Sequence, residues 1–223
     1  MDKAESEREL AERLNHLAPA ELAQWAAKAG AYLIHVSTDY VFDGTAHCPL
    51  REEQPTAPLG VYGRTKRSGE EAIERSGCRY TILRTAWLYS SYGANFVKTM
   101  LRLMRERSLL TVVAIGSPTY ARDLAGCILQ LLQLPEPLVG LYHFSNEGVA
   151  SWYDFAEAIR EYAGLDCEVL PIPTSAYPTA AERPLYSLLD KAKIKAALPA
   201  LHIPHWRSSL QSCLPLILAN THD

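Results

Sequence analysis

Residues 32–37 read YLIHVS, a short and mostly apolar run that follows a long helical pattern. That pattern covers residues 7–29, where leucines and a tryptophan recur at helical spacing, and we expect the helix to bend near Pro19 and to end at Gly30. A run this short and apolar on both faces is typical of a strand buried in a parallel sheet. A helix followed by a buried strand is therefore the first unit of the predicted fold.

The same alternation repeats along the chain. Helices are predicted over residues 61–75, 95–107 and 122–132, and strands over residues 80–85, 110–113 and 140–145. Strands separated by helices of about ten or more residues form parallel βαβ units, with helices on both faces of one sheet. The sequence therefore predicts an α/β fold built on a doubly wound parallel sheet.

The pattern changes after residue 145. Ser151 and Asp154 predict a capping box in front of another helix. A predicted strand over residues 168–172 and a proline-spaced segment then lead to two short C-terminal helices. We therefore predict two parts, residues 1–145 as the sheet domain and residues 146–223 as mostly a small C-terminal lobe.

The composition is that of an ordinary globular protein, with 223 residues that are 48% hydrophobic and 21% charged and a net charge of -3. This charge disfavours a nucleic-acid surface, and no apolar run approaches the ~20 residues that span a bilayer. Five scattered cysteines without a C-x-x-C pair are typical of reduced thiols in the cytoplasm, with neither disulfides nor a zinc site. We therefore expect a cytoplasmic protein with no nucleic-acid or membrane partner and no bound metal.

A tyrosine and a lysine lie four residues apart on the predicted helix at residues 61–75. This spacing puts Tyr62 and Lys66 on the same helix face, about 5–6 Å apart at Cβ. A free tyrosine has a pKa of about 10, and a lysine cation alongside lowers that pKa by stabilising the phenolate. The pair therefore indicates a proton donor, although such pairs also arise by chance on solvated helix faces.

Polar side chains at the ends of two predicted strands favour the catalytic interpretation. Thr38 and Asp39 follow the strand at residues 32–37, and Trp87 follows the strand at residues 80–85. In an open α/β sheet the ligand crevice lies beyond the carboxyl ends of the strands, so these side chains would meet a substrate. The Trp87 indole can stack there on a sugar or a base, or it can be a core aromatic.

Seven longer motifs resemble those of the dTDP-4-dehydrorhamnose reductases, members of the extended short-chain dehydrogenase/reductase family. They are residues 37–44 (STDYVFDG), 62–66 (YGRTK), 83–87 (LRTAW), 95–97 (NFV), 116–125 (GSPTYARDLA), 183–190 (RPLYSLLD) and 206–210 (WRSSL). Their order and spacing resemble the family over nearly the whole chain. The resemblance implies a Rossmann-like NAD(P)-binding sheet domain and a C-terminal substrate-binding lobe.

The resemblance also implies an activity, which is reduction of the C4 ketone of dTDP-4-dehydro-L-rhamnose to dTDP-L-rhamnose with NADPH or NADH. By position, Tyr62 would be the proton donor, and Lys66 would tune Tyr62 and hold the nicotinamide ribose with it. Thr38 would be a third catalytic residue, bonded near the reacting oxygen. Thr38, Asp39 and Trp87 would contact the sugar nucleotide.

Two weaker implications concern a further residue and the assembly. Asn15 resembles an asparagine that completes a proton relay in related enzymes. Related reductases often dimerise, so a homodimer is a further expectation.

The sequence departs from the family at the cofactor phosphates. Relatives open with a strand, a Gly-rich turn and a helix that binds the pyrophosphate, and no G-x-G-x-x-G occurs here. We therefore expect an N-terminally truncated Rossmann-like domain that binds NADPH weakly. Two alternatives stay open: a non-catalytic regulatory or binding module, related to the regulatory subunit of methionine adenosyltransferase, and an inactive fragment. The retained Thr38, Tyr62 and Lys66 favour the enzyme.

Overall fold

The computed structural model describes residues 1–106, 109–110, 114–171 and 181–219, with residues 109–110 described by their backbone alone. The helices are α1 (Asp2–Ser6), α2 (Arg8–Glu12), α3 (Ala18–Ala29), α4 (Val61–Arg75), α5 (Phe96–Glu106), α6 (Ala121–Leu132), α7 (Trp152–Ala163), α8 (Ala192–Ala197) and α9 (Trp206–Ala219). The strands are β1 (Tyr32–Thr38), β2 (Arg79–Thr85), β3 (Leu88–Tyr89), β4 (Leu109–Leu110), β5 (Ile115–Gly116), β6 (Thr119–Tyr120), β7 (Gly140–His143), β8 (Ala150–Ser151) and β9 (Glu168–Val169).

Three parallel strands form the central sheet, in the order β1-β2-β7. β1 and β2 pair along their whole length, from Tyr32 opposite Arg79 to Thr38 opposite Thr85, and β7 pairs with the second half of β2. The carboxyl ends of β1 and β2 therefore lie side by side. The prediction of an α/β fold with a parallel sheet is confirmed.

Helices cover both faces of this sheet. Side chains along a strand alternate between the two faces, so neighbours in sequence enter different layers. Ile82 of β2 packs with Ala23 of α3 and Ile73 of α4, whereas the next residue, Leu83, packs in the cluster formed with α6 and α8. The sheet is thus the middle of three layers, as a doubly wound fold requires.

A third apolar cluster joins α5, α7 and α9. Its largest fully buried side chains are Trp206 and Tyr89, and Phe155 of α7 and Leu101 of α5 belong to it as well. Ser151 caps α7, and Asp154 completes the capping box as predicted. The division of the chain into residues 1–145 and 146–223 stays a prediction.

The N-terminal helical region deforms before Pro19 and not at it. Residues Arg13–Leu17 form a π-helical turn between α2 and α3. Pro19 lies in the first turn of α3, directly after this π-helical turn, and a proline within a continuous helical run removes a backbone hydrogen bond. Gly30 ends α3 in the left-handed conformation, with a φ of 64°, and this part of the prediction is confirmed.

The C-terminal half shows one further difference from the sequence prediction. α9 is 14 residues long and not short, because Leu210, Cys213 and Ile217 recur at helical spacing and are buried together. Parts of three predicted elements, at residues 107, 111–113 and 172, lie outside the described residues. Within the described ranges, no helix has the length and apolarity needed to cross a membrane.

Candidate active site

β1 ends in two buried polar residues. The Thr38 hydroxyl donates a hydrogen bond to Asp39 Oδ1 (3.1 Å) and accepts one from the backbone amide of Tyr40 (3.2 Å). These bonds start a 3₁₀ turn at Asp39–Val41, since a threonine hydroxyl readily caps such a turn. The chain therefore turns at the carboxyl edge of the sheet and holds both polar side chains there.

α4 brings Tyr62 to the same edge. Gly63 permits a close approach of the helix, because a Cβ at this position would clash with the carbonyl oxygen of Tyr40. The Tyr62 ring then packs edge-on against the Tyr40 ring, with centroids 5.7 Å apart. The Tyr62 phenol lies close enough to the Thr38 hydroxyl for that hydroxyl to influence its pKa. Thr38 thus contacts both Asp39 and Tyr62.

Lys66 lies one turn further along α4 and points at β1. Its Nζ donates to the backbone oxygen of Val36 (2.7 Å) and lies 3.1 Å from Nε2 of His35. Burial lowers the pKa of Lys66 to about 8, partly offset by the charge of Glu70. Burial and the Lys66 cation lower the pKa of His35 to about 4, so the imidazole is neutral and can accept from the ammonium.

The pKa of Tyr62 moves in the direction opposite to the sequence prediction. Burial raises it, the neighbouring Thr38 hydroxyl lowers it in part, and the nearby Asp39 carboxylate raises it further. The expected lowering of this pKa by Lys66 is therefore wrong. The physical reason is that Lys66 directs its ammonium to the β1 backbone, while burial penalises the phenolate directly.

Asp39 is almost fully buried, and burial raises the pKa of its carboxyl group to about 6. Hydrogen bonding from the Ser187 and Thr38 hydroxyls offsets part of this rise. A carboxyl group with this pKa keeps a protonated fraction close to neutral pH, which makes it both a donor and an acceptor for a ligand hydroxyl.

Trp87 lies at the end of β2 with an unusual backbone. Its φ is 49°, in the left-handed region that bulky side chains avoid. The indole stacks on Trp152 with ring centroids 3.8 Å apart and planes 14° from parallel. Its Cε2 and Cζ2 atoms lie against Gly116, where a Cβ would come within 2.8 and 2.9 Å of them.

Ser187 lies between Trp87 and the carboxyl edge of the sheet, where Thr38 and Asp39 are located. Its hydroxyl lies close enough to the Asp39 carboxyl group to lower the pKa of that group, and it would lie 3.1 Å from a Cβ at Gly116, the residue that touches Trp87. Backbone bonds from Ile115 to Leu185 and from Ser187 to Ile115, both 2.8 Å, hold this segment in place. Sequence reasoning assigned no role to Ser187, although the RPLYSLLD motif contains it.

The five predicted site residues therefore form one connected arrangement. Tyr62, Thr38 and Asp39 are in contact, Lys66 lies one helical turn from Tyr62, and Trp87 joins them through Gly116 and Ser187. The roles of these residues stay predictions. The side-chain amide of Asn15, in the π-helical turn, donates to Thr65 Oγ1 (3.1 Å) on α4, the helix that carries Tyr62 and Lys66.

No group of three or more metal-binding side chains occurs in the part of the chain that the structure describes.

The comparisons with known proteins agree on one family. The family model described as the RmlD substrate binding domain matches residues 1–218. The spore coat polysaccharide biosynthesis protein SpsK of Bacillus subtilis is 41% identical over 216 residues, which cover 96% of this chain and 75% of the relative. The dTDP-4-dehydrorhamnose reductase of Salmonella typhimurium is 40% identical over 233 residues, covering 99% of this chain and 77% of the relative.

Solved structures give the same result. A dTDP-4-dehydrorhamnose reductase from Clostridium acetobutylicum superposes with a TM-score of 0.92 at 38% identity, over 97% of this chain and 77% of the other. The Bacillus anthracis reductase, in complex with NADP, superposes with a TM-score of 0.90 at 39% identity, over 96% of this chain and 76% of the other. The chain thus spans about three quarters of the length of these relatives. The chain belongs to the dTDP-4-dehydrorhamnose reductase family.

Proposed function

We propose that this chain reduces the C4 ketone of dTDP-4-dehydro-L-rhamnose to the alcohol of dTDP-L-rhamnose, with NADPH or NADH as the reductant. The observation that carries the proposal is the contact of Tyr62 with Thr38 at the carboxyl end of β1, with Lys66 one helical turn away. Family membership supports the reaction, since relatives such as the Salmonella protein are named for it.

Tyr62 suits the role of proton donor. Burial raises the pKa of Tyr62, so its phenol stays fully protonated at neutral pH and holds the proton that a new alkoxide needs. The Thr38 hydroxyl, whose one proton bonds Asp39 Oδ1, can turn to donate to the phenolate that forms, which limits the cost of the negative charge. Hydride to the carbonyl carbon and this proton to the carbonyl oxygen together give the alcohol.

Tyr62 and Lys66 also suit a nicotinamide ribose. A lysine ammonium has three N–H donors, and Val36 and His35 engage two of them among the described contacts. The third can bind a ribose hydroxyl, together with the phenolic oxygen. The reduced nicotinamide supplies the hydride when it is bound.

The substrate side consists of Thr38, Asp39 and Trp87. Asp39 offers a carboxyl group with a raised pKa to a sugar hydroxyl, and the partly exposed indole of Trp87 offers an apolar surface to the sugar nucleotide. We also propose that the protein forms a homodimer and is located in the cytoplasm.

Replacing Tyr62 with phenylalanine tests the proposal. Turnover, followed by NADPH absorbance with dTDP-4-dehydro-L-rhamnose, should fall at least about 100-fold, because the proton donor is removed together with one contact to the nicotinamide ribose. Binding of the product dTDP-L-rhamnose, measured by calorimetry, should change less than about threefold. Tyr92→Phe is the matched control, since the Tyr92 side chain is exposed.

Comparable turnover in Tyr62→Phe and wild type would remove Tyr62 from the mechanism. A wild-type chain that binds dTDP-L-rhamnose but never consumes NADPH would support the non-catalytic module.

A further inference from the structure

Trp87 is held in a backbone conformation that is costly for a large side chain. Among the described residues it is the one non-glycine with a positive φ, at 49°. Such outliers persist where the surroundings fix them, and they concentrate at binding and catalytic sites. The contacts of the Trp87 indole should therefore explain what holds it there.

The largest of these contacts is with Trp152. The two indoles are nearly parallel, 14° apart, with centroids at 3.8 Å, which is a full face-to-face stack. Trp152 in turn packs against Phe96 of α5, with ring centroids 4.2 Å apart. One face of Trp87 is therefore covered by an aromatic column that reaches into the buried cluster of α5, α7 and α9.

The backbone of Trp152 is fixed independently of Trp87. Trp152 is the first residue of α7, directly after the capping box of Ser151 and Asp154. Its amide donates to the Ala114 oxygen (3.0 Å), and the adjacent β8 pairs with β5. β5 contains Gly116, and Trp152 directly follows β8. The same pair of strands therefore holds both Gly116 and Trp152 against the Trp87 indole.

We propose that Trp152 is a positioning residue for the nucleotide sugar: it stacks on Trp87 and holds that indole against Gly116, in the strained conformation in which Trp87 meets the ligand. The inference rests on the proposed function, in which Trp87 contacts the sugar nucleotide. Trp152 acts through Trp87 and not through the reacting atoms. Without it, Trp87 can relax to ordinary backbone angles, and the binding-competent conformer becomes a fraction of the population.

The fold does not depend on Trp152 in the same way. Its side chain is only partly buried, whereas Phe155 and Trp206 of the same cluster are fully buried and packed edge to face at 5.8 Å. A smaller side chain at position 152 should therefore leave the core of α5, α7 and α9 assembled.

The test is calorimetric binding of dTDP-L-rhamnose to wild type, Trp152→Ala and Trp152→Phe. We expect Trp152→Ala to bind about three- to tenfold more weakly and Trp152→Phe to recover part of the loss, because a phenyl ring can still stack. In turnover, the KM for the sugar nucleotide should rise while kcat and its pH profile stay close to wild type. Trp25→Ala, on the exposed face of α3, is the matched control and should bind normally.

Circular dichroism reports the stack itself. Two closely stacked indoles couple their electronic transitions. We therefore expect an exciton couplet in the circular dichroism spectra of wild type and Trp25→Ala, and no couplet in the spectrum of Trp152→Ala. Loss of the couplet with unchanged affinity in Trp152→Ala would overturn the inference and leave the proposed function intact. Absence of dTDP-L-rhamnose binding by wild type would overturn both. If Trp152→Ala does not fold, Trp152→Phe and Trp152→Leu decide by the same two measurements.

Discussion

Two buried carboxyl groups near the carboxyl edge of the sheet have pKa values that are shifted in opposite directions. Asp39 follows β1 directly within the candidate site, and Glu70 lies on α4 two helical turns after Tyr62. Both side chains are almost completely buried. Burial raises the pKa of Asp39 to about 6, whereas the pKa of Glu70 lies below its ordinary value.

The difference lies in the charge of their neighbours. Burial alone would raise the pKa of Glu70, but hydrogen bonds and charge from Arg84 outweigh it. Arg84 donates to both carboxylate oxygens, at 2.9 and 2.7 Å, and Arg67 adds a third bond at 3.0 Å. Asp39 has hydroxyl neighbours, Thr38 and Ser187, which carry no charge to hold its anion.

The comparison separates a structural role for charge from a chemical one. A buried carboxylate with bidentate arginine contacts is fully ionised and joins α4 to β2, so it serves the fold. A buried carboxyl group with only hydroxyl partners can change its protonation near neutral pH, which suits the ligand-binding role proposed for Asp39. Lys66 lies on α4 between Tyr62 and Glu70, and the charge of Glu70 raises the pKa of Lys66 against the effect of burial.

The largest effect is expected from breaking the Glu70–Arg84 pair. Glu70→Gln should lower the free energy of unfolding by about 3–5 kcal/mol, because the buried Arg84 cation loses its counter-charge. Urea denaturation followed by circular dichroism measures this. The matched control is Glu106→Gln, whose pair with Arg102 is exposed and should contribute less than about 1 kcal/mol. Equal losses in the two variants would show that burial gives the Glu70 carboxylate no special structural role.

The next effect separates function from stability on the same helix. Lys66→Met removes a buried cation whose pKa is lowered to about 8 by burial, so stability should stay level or rise by up to about 2 kcal/mol. Turnover should nevertheless fall on the order of 100-fold, since the nicotinamide ribose loses the ammonium group that we propose positions it. Urea denaturation and NADPH consumption on one preparation measure both. A strongly destabilised Lys66→Met would show that Lys66, like Glu70 with its arginine partners, stabilises the fold through its charge.

The sequence predicted the framework around the two carboxylates but not their chemistry. Apolar runs and helical periodicity were enough to place β1, α4 and β2, and the parallel strand arrangement then put Thr38 and Asp39 at the carboxyl edge of the sheet. Four-residue spacing put Tyr62 and Lys66 on one face of α4. These inferences need only the local pattern and the rule that ligands bind at carboxyl strand ends.

What the sequence could not reveal depends on how α4 sits on the sheet. Arg84 lies inside an apolar strand, and its pairing with Glu70 follows only from the register of helix and strand. The same holds for Lys66, whose ammonium reaches β1 and therefore does not lower the pKa of Tyr62 as predicted. The left-handed backbone of Trp87 and its stack on Trp152 require a contact across 65 residues of sequence.

The smallest effect concerns the pH dependence that Asp39 contributes. Its pKa is about 6 in the folded protein, against 3.8 for an aspartate free of such surroundings, so the folded state holds the proton more tightly between these values. This contribution to stability is complete below about pH 4 and is lost as the pH rises through about 6. Glu70 has the opposite sign, because its lowered pKa contributes stability that disappears as the pH falls.

Asp39→Asn isolates the first of these contributions, because asparagine has the same shape and no proton to lose. The variant should gain roughly 1–3 kcal/mol over wild type above about pH 7 and match it near pH 4, since wild type must ionise a buried group only at the higher pH. Urea denaturation of both proteins at several pH values gives the difference. A constant difference across the whole range would mean that Asp39 has no raised pKa, and the contrast with Glu70 would then rest on geometry alone.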